Sequence, residues 1–187
     1  MQKYLISLMT ILVPVLAQAA PNCVKNPVYC QIMTLKPGVN KAFALSLSKS
    51  IAKYSRKFGV DPKISVAIAM QESGFENKNR MGTVLTKRNQ LVHGITDVGV
   101  FQIHVNTIAS FNERGVVLDT ERLKTDVDYQ AFWHAKILKK KISMCKAKRD
   151  KFDIEEGQEW SCYHSVTKKQ RETYVDYVGP YIEKLSQ

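Results

Sequence analysis

The chain has 187 residues, 44% of them hydrophobic, with 28 Lys and Arg against 17 Asp and Glu. That length makes one domain the default, and no Pro/Gly/Ser-rich linker or internal repeat argues for more. The formal net charge of +11 suits an acidic partner such as nucleic acid, anionic membrane or cell-wall polymer, and no nucleic-acid motif with interleaved aromatics singles out the first.

The chain opens with Lys3, an apolar run from Tyr4 to Leu16 and the small-x-small sequence Ala17-Gln18-Ala19. This predicts a secretory signal over residues 1–19 and a mature domain over 20–187, exported to the periplasm or secreted. The run is short for a bilayer span, so no stable membrane span is expected after cleavage. Ala20-Pro21-Asn22, just before Cys23, lacks the small aliphatic run of a lipidation site. Export also argues against nucleic acid as the partner. The cysteines Cys23, Cys30, Cys145 and Cys162 all follow the signal, and an even count in an exported chain favours disulfides. Three connectivities are open, and short loop closure favours Cys23 with Cys30 and Cys145 with Cys162. The spacings do not suit zinc, and His93, His104, His134 and His164 are scattered, so neither a metal nor an organic cofactor is expected.

Residues 21–39 read as irregular. A helix is expected from about Asn40 to Phe58, with Phe43, Leu47, Ile51, Tyr54 and Phe58 on one face and Gly59 as its stop. Asp61-Pro62 gives an N-cap followed by proline at the first helical position, opening a helix that ends at Gly74. Residues 76–98 are polar and turn-rich; Val84 and Leu91-Val92 flank a possible hairpin, so the segment reads as a loop or small β-wing. Further helix is expected after Gln102, ending by Gly115. A long helix is expected from Thr125 to about Cys145, with Thr125-x-x-Asp128 as a capping box. Thr167-x-x-Gln170 caps a last helix whose inward face is Tyr174, Val178, Tyr181, Ile182 and Leu185. The run Lys139-Lys140-Lys141, with Lys146, Lys148, Arg149 and Lys151, reads as a solvated face. The fold class is mainly α, a single domain with a small wing.

Glu72 stands out because it extends the stripe Ile64, Ala67 or Ile68, Gln71 or Glu72 at three- and four-residue steps. The ordinary reading of a glutamate at a helix end is a solvated one. If the stripe turns inward, desolvation raises the carboxyl pKa and makes a proton donor fit for protonating a glycosidic oxygen. Gly99 either lets a sugar or neighbouring backbone approach closely or makes a plain turn. Gln102 offers a donor and an acceptor to an acetamido or hydroxyl group, and Tyr163 either hydrogen-bonds Glu72 or substrate or is simply core. Ser73 suits local capping, since no His and Asp arrangement supports a serine nucleophile. Glu76 is a weaker second carboxylate, which Gly74 turns away.

Met70-Gln71-Glu72-Ser73-Gly74-Phe75, followed by Asp97-Val98-Gly99-Val100-Phe101-Gln102-Ile103 and then Cys162-Tyr163-His164-Ser165, resembles the soluble-type lytic transglycosylases of the lysozyme-like superfamily. Glu172-Thr173-Tyr174-Val175 resembles their closing helix. The ordered blocks cover roughly residues 50 to 185. The resemblance implies a lysozyme-like α+β domain that cleaves the MurNAc-GlcNAc β-1,4 bond of peptidoglycan. It also implies that Glu72 is the acid, with Ser73, Gly99, Val100, Phe101, Gln102, Ile103 and Tyr163 at the substrate. In that family one glutamate protonates the leaving oxygen and the substrate's 2-acetamido group stabilises the cation. The glutamate then deprotonates the muramic 6-hydroxyl, which closes a 1,6-anhydro ring. Small exported members of this kind resemble those that serve secretion, conjugation or pilus machinery.

The sequence departs from the family in three ways: a longer stretch between Phe75 and Asp97, His104-Val105 after Gln102-Ile103, and His164 where many members have asparagine. Thr96 to Ile103 also resembles the string of c-type lysozymes in which the aspartate is the second carboxylate. A hydrolysing muramidase using Glu72 with Asp97 is therefore the alternative. A non-catalytic wall-binding assembly component is the alternative of another class.

Overall fold

A computed structural model describes residues 23–85, 91–112, 115 and 118–187. The expected signal, residues 1–19, lies outside the described residues. Among the latter the order is α1 (Pro27–Leu35), α2 (Lys41–Phe58), α3 (Pro62–Ser73), β1 (Asn79–Leu85), β2 (Leu91–Val98), β3 (Ile103–His104), α4 (Val105–Asn112), α5 (Thr120–Thr125), α6 (Val127–Lys146), α7 (Arg149–Phe152), a 3-10 turn (Glu159–Tyr163) and α8 (Lys168–Lys184). The chain is thus mainly helical with one small antiparallel sheet, as expected.

The stop signals work as residue chemistry dictates. Asn40 and Asp61 cap α2 and α3 by accepting the Phe43 and Lys63 N–H groups, and Gly59 and Gly74 end these helices in the left-handed conformation. Helix α1 corrects the irregular reading of residues 21–39. Its signal is Asn26-Pro27, an N-cap and a first-turn proline, but nine residues are too few for periodicity to show. The capping boxes are also corrected. Asp126 caps α6 by accepting the Tyr129 N–H, while Thr125 closes the preceding short helix α5. Asp128 instead accepts from Ser50, Lys53 and Tyr54 and ties the start of α6 to α2. At α8, Thr167 makes no side-chain cap; Ser165 takes its N–H and donates to Gln170.

α2 and α6 form the main helical pair, with Phe132 edge-on to Tyr54 and Phe58. α3 lies at the centre: Ser65, Val66, Ala67, Ile68 and Ala69 are buried in succession while Ile64 is only partly so. This corrects the stripe reading, because a helix enclosed on all sides has no single inward face. Disulfides join Cys23 to Cys30 and Cys145 to Cys162, the second fastening the end of α6 to the 3-10 turn. The inward residues of α8 are as expected, with Tyr174 and Val178 buried and Tyr181, Ile182 and Leu185 packed against the core.

The wing is a hairpin of β1 and β2 in register from Asn79 opposite Val98 to Leu85 opposite Leu91, with a bulge at Arg80/Met81. Strand β3 pairs with the end of β2, Asp97 opposite His104 and Val98 opposite Ile103. Directly paired residues share a sheet face, so Arg80, Asp97 and His104 form one row across the three strands.

Candidate functional site

Glu72 occupies the last turn of α3, which Gly74 and Phe75 end with two successive left-handed residues. Gly74 N–H bonds Met70 O and Phe75 N–H bonds Ala69 O. The Gly74 bond to Met70 O is the closure of an αL end, and it turns the chain away so that the wing begins beyond it. The Ser73 hydroxyl donates to Ala69 O and accepts from Glu76 N–H, finishing the turn from a buried position. Glu76 emerges on the exposed side in an ion pair with Lys36, which holds its carboxyl below the usual range.

The Glu72 carboxylate faces a cleft of about 390 Å³ between the helices and the wing, lined among others by Arg80, Asp97, Gln102, Tyr163 and His164. Tyr174 of α8 donates its hydroxyl to Glu72 Oε1 at 2.7 Å, and Arg80 reaches over to donate to the Glu72 carbonyl at 2.8 Å. Burial raises the Glu72 pKa; the Tyr174 hydrogen bond and the Arg80 charge pull against it, and the charge of Asp97 adds to the rise. The negative end of the α3 dipole acts in the same direction as burial. The outcome is a carboxyl group more protonated near neutral pH than an ordinary glutamate.

The expectation that Tyr163 holds Glu72 is corrected. Its hydroxyl donates to Phe101 O at 3.0 Å, and Tyr174, read as core from its period, holds the carboxylate instead. A tyrosine on an inward helix face needs a partner for its hydroxyl, which is the signal the sequence did carry. His164 stacks on the Tyr174 ring with centroids 4.8 Å apart, and burial lowers its pKa. Tyr163 lies edge-on to His134, whose imidazole stacks on Phe101 at 3.9 Å.

The segment Gly99 to Gln102 is the turn between β2 and β3, closed by Gln102 N–H to Gly99 O. Gly99 has φ +75° and faces the Gln130 side chain; a Cβ there would lie 2.4 Å from the amide carbon. The close approach that Gly99 permits is therefore by a buried side chain, neither sugar nor backbone. Gln130 accepts the Val100 N–H at 2.9 Å and donates to Asn77 at 2.8 Å. Gln102 adopts φ +45°, and its amide nitrogen donates to Lys78 O and Gly99 O, so its donor is occupied by the protein rather than held out to a ligand. Its Oε1 is buried without a hydrogen-bond partner.

Of the residues expected at substrate, Gln102, Ile103 and Tyr163 line the cleft together with Glu72 and Asp97. Ser73, Gly99, Val100 and Phe101 do not; they are framework beneath it, with Val100 and Phe101 fully buried. Asp97 stands across the cleft with one carboxylate oxygen accepting from Thr96 at 2.8 Å. Sequence reasoning did not identify Arg80, Thr107, Ile137 or Lys141 as lining residues. Arg80 and His104 could be found only through the strand register that sets them beside Asp97. Among the described residues no cluster of His, Cys, Asp or Glu could hold a metal ion.

A helical domain with a short antiparallel wing and a carboxyl group set in the cleft between them is a lysozyme-like domain. The family model described as Transglycosylase SLT domain matches residues 49–164. The chain belongs to that family of lytic transglycosylases, enzymes that cleave peptidoglycan. No curated protein and no solved structure matches it.

Proposed function

We propose that the protein cleaves the MurNAc-GlcNAc β-1,4 bond with Glu72 as general acid and then general base, releasing a 1,6-anhydro-muramic end. The observation carrying this reading is the Glu72 carboxyl, desolvated in the cleft and oriented by the Tyr174 hydroxyl at 2.7 Å. The protonated carboxyl gives its proton to the glycosidic oxygen as the bond to the anomeric carbon breaks. The substrate's acetamido oxygen stabilises the resulting cation. The Glu72 carboxylate, now hydrogen-bonded by Tyr174, takes the proton of the muramic 6-hydroxyl while that oxygen bonds the anomeric carbon. No water is consumed and the glutamate ends protonated as it began. Arg80 contributes by fixing the backbone at the end of α3.

A hydrolysing muramidase is the second reading, favoured by Asp97 in the same cleft. Mass spectrometry of digested peptidoglycan separates the two. Anhydro-muramic ends are expected; reducing ends alone would replace transglycosylation with hydrolysis. Absence of any turnover by the wild type would favour a wall-binding component. Glu72→Gln is expected to abolish cleavage with unchanged circular dichroism, and wild-type activity in that variant would place the acid elsewhere.

We further propose that residues 1–19 are a cleaved export signal and that the enzyme works in the periplasm or outside the cell, locally opening the wall for a secretion, conjugation or pilus apparatus. Two disulfides suit such an oxidising compartment. N-terminal sequencing of the exported protein tests the cleavage site. Loss of apparatus assembly on Glu72→Gln replacement in the cell tests the role.

A further inference from the structure

The positive charge of the chain is gathered on one pair of helices. α2 has five cationic residues and no acidic one, and α6 has five against the single acid Asp128, whereas α8 has four against three. The pair runs side by side in one direction: Asp128 accepts from Ser50 and Tyr54, Phe132 meets Tyr54 and Phe58, and the Lys139 ammonium lies beside Gly59. Lys57 from α2 and Lys136 from α6 converge on one ring, their ammonium groups 5.2 and 5.8 Å from the Phe132 centroid. Lys49, Arg56, Lys57 and Lys139 are exposed and Lys136 is half-buried, and none of the five has an acidic partner among the described residues. Like charges gathered in this way repel, and an anionic surface placed over them relieves the repulsion.

We propose that the face shared by α2 and α6 docks the protein on a membrane surface of anionic phospholipid headgroups, with the cleft turned away from the bilayer. Its composition favours lipid over an acidic protein. The cations are nearly all lysine, a flexible point charge, whereas protein interfaces deplete lysine and use the arginine fork for fixed carboxylates. They are spread along helices of 18 and 20 residues rather than gathered in a pocket, which suits a plane of mobile headgroups. Among the described residues the exposed large hydrophobic side chains, Val24, Met81, Val166 and Tyr177, lie on neither helix, so the contact is electrostatic and nothing inserts. Helix geometry sets the orientation. At about 100° per residue, Lys136 and Lys139 lie on the side of α6 turned away from Ile137 and Lys141, the residues by which α6 lines the cleft. A protein lying on this face leaves Glu72 open to polymer on the far side.

The test uses the exported protein as recovered from cells, checked by N-terminal sequencing, since an uncleaved signal would bind lipid by itself. It is sedimented with vesicles of pure phosphatidylcholine and of phosphatidylcholine mixed with phosphatidylglycerol. Binding is expected only to the mixed vesicles and is expected to fade as salt rises. Lys57→Gln with Lys136→Gln and Lys139→Gln should weaken it roughly a hundredfold, the ratio that three cations near such a surface supply. The corresponding triple Lys→Arg variant should keep it. Lys148→Gln with Lys151→Gln and Lys169→Gln removes the same charge from exposed lysines elsewhere and should change binding little, with near-UV spectra unchanged throughout. No binding to the mixed vesicles, equal binding to the neutral ones, or equal loss in the two Gln variants overturns the proposal. So does a face variant that loses affinity for isolated wall or for immobilised polyglutamate while its vesicle binding is unchanged, which would assign the face to those polymers. Turnover of soluble glycan strands is expected to stay at the wild-type rate in the face variant, so failure of the catalytic reading leaves the docking face untouched.

Discussion

Gly99→Ala perturbs the turn that carries the cleft's Gln102, and its cost can be worked from geometry. At φ +75° an L residue is strained by about 1–2 kcal/mol. The added methyl would stand 2.4–2.8 Å from all three amide atoms of Gln130, which is fully buried and cannot swing into solvent. Overpacking of this kind costs about 1–3 kcal/mol. Any movement of the amide also weakens its bonds to Val100 N–H and Asn77, each contributing about 1 kcal/mol. A total near 4 kcal/mol is therefore expected, as the order of magnitude these terms allow. Gly59→Ala is the control: φ is +63°, but the nearest atom to its Cβ is the Lys139 ammonium at 3.8 Å, leaving only the backbone strain of about 1–2 kcal/mol. Urea unfolding at neutral pH followed by circular dichroism measures both. In Gly99→Ala with Gln130→Ala the clash disappears, so the double variant should lose less than the two single costs combined. If Gly99→Ala costs no more than Gly59→Ala, the argument that Gly99 exists to admit Gln130 is wrong.

Tyr174→Phe removes the hydroxyl that favours the Glu72 carboxylate, so the pKa of Glu72 should rise further and the alkaline limb of the activity profile should move to higher pH; a limb that stays or moves down contradicts this. Asp97→Asn acts oppositely: removing its charge lowers the Glu72 pKa, the limb moves to lower pH, and anhydro products persist if Glu72 works alone. His134 is fully buried with both ring nitrogens unpaired and its pKa is pushed down to about 3 by burial. The unfolded chain binds its proton below about 6.5 while the folded chain does not, so stability falls as pH drops from about 6.5 toward 3. His134→Leu should flatten that acid limb, worth about 3 kcal/mol near pH 4.5 on the linkage arithmetic; equal slopes in chemical denaturation would refute it. Cys145→Ser with Cys162→Ser opens a loop of 17 residues and should cost about 3 kcal/mol, read as a fall in Tm.

The helices bounded by local chemistry were legible from the chain. Asn40 and Gly59, Asp61-Pro62 and Gly74 mark their ends whatever surrounds them, since caps and left-handed stops act within a few residues. The hairpin was legible in outline from alternating apolar residues and turn composition. α1 and α5 were missed because short helices owe their existence to packing rather than period. Asp128 and Thr125 misled because a capping pattern does not reveal that a distant helix, α2, will claim the aspartate.

The sequence by itself determined which residue types carry the chemistry: the ordered blocks around Glu72, Gly99 to Ile103 and Tyr163 to Ser165 identify the family that the match over residues 49–164 establishes. Tertiary structure alone decided which of those side chains meet. The carboxylate's partner is Tyr174, 102 residues away in sequence, Gly99 answers to Gln130, and Lys141 turns into the cleft while Lys139 does not. The reason is physical: caps and periods are set within a turn or two of chain, whereas the desolvation and hydrogen bonding that tune Glu72 depend on elements that only the packed core brings together.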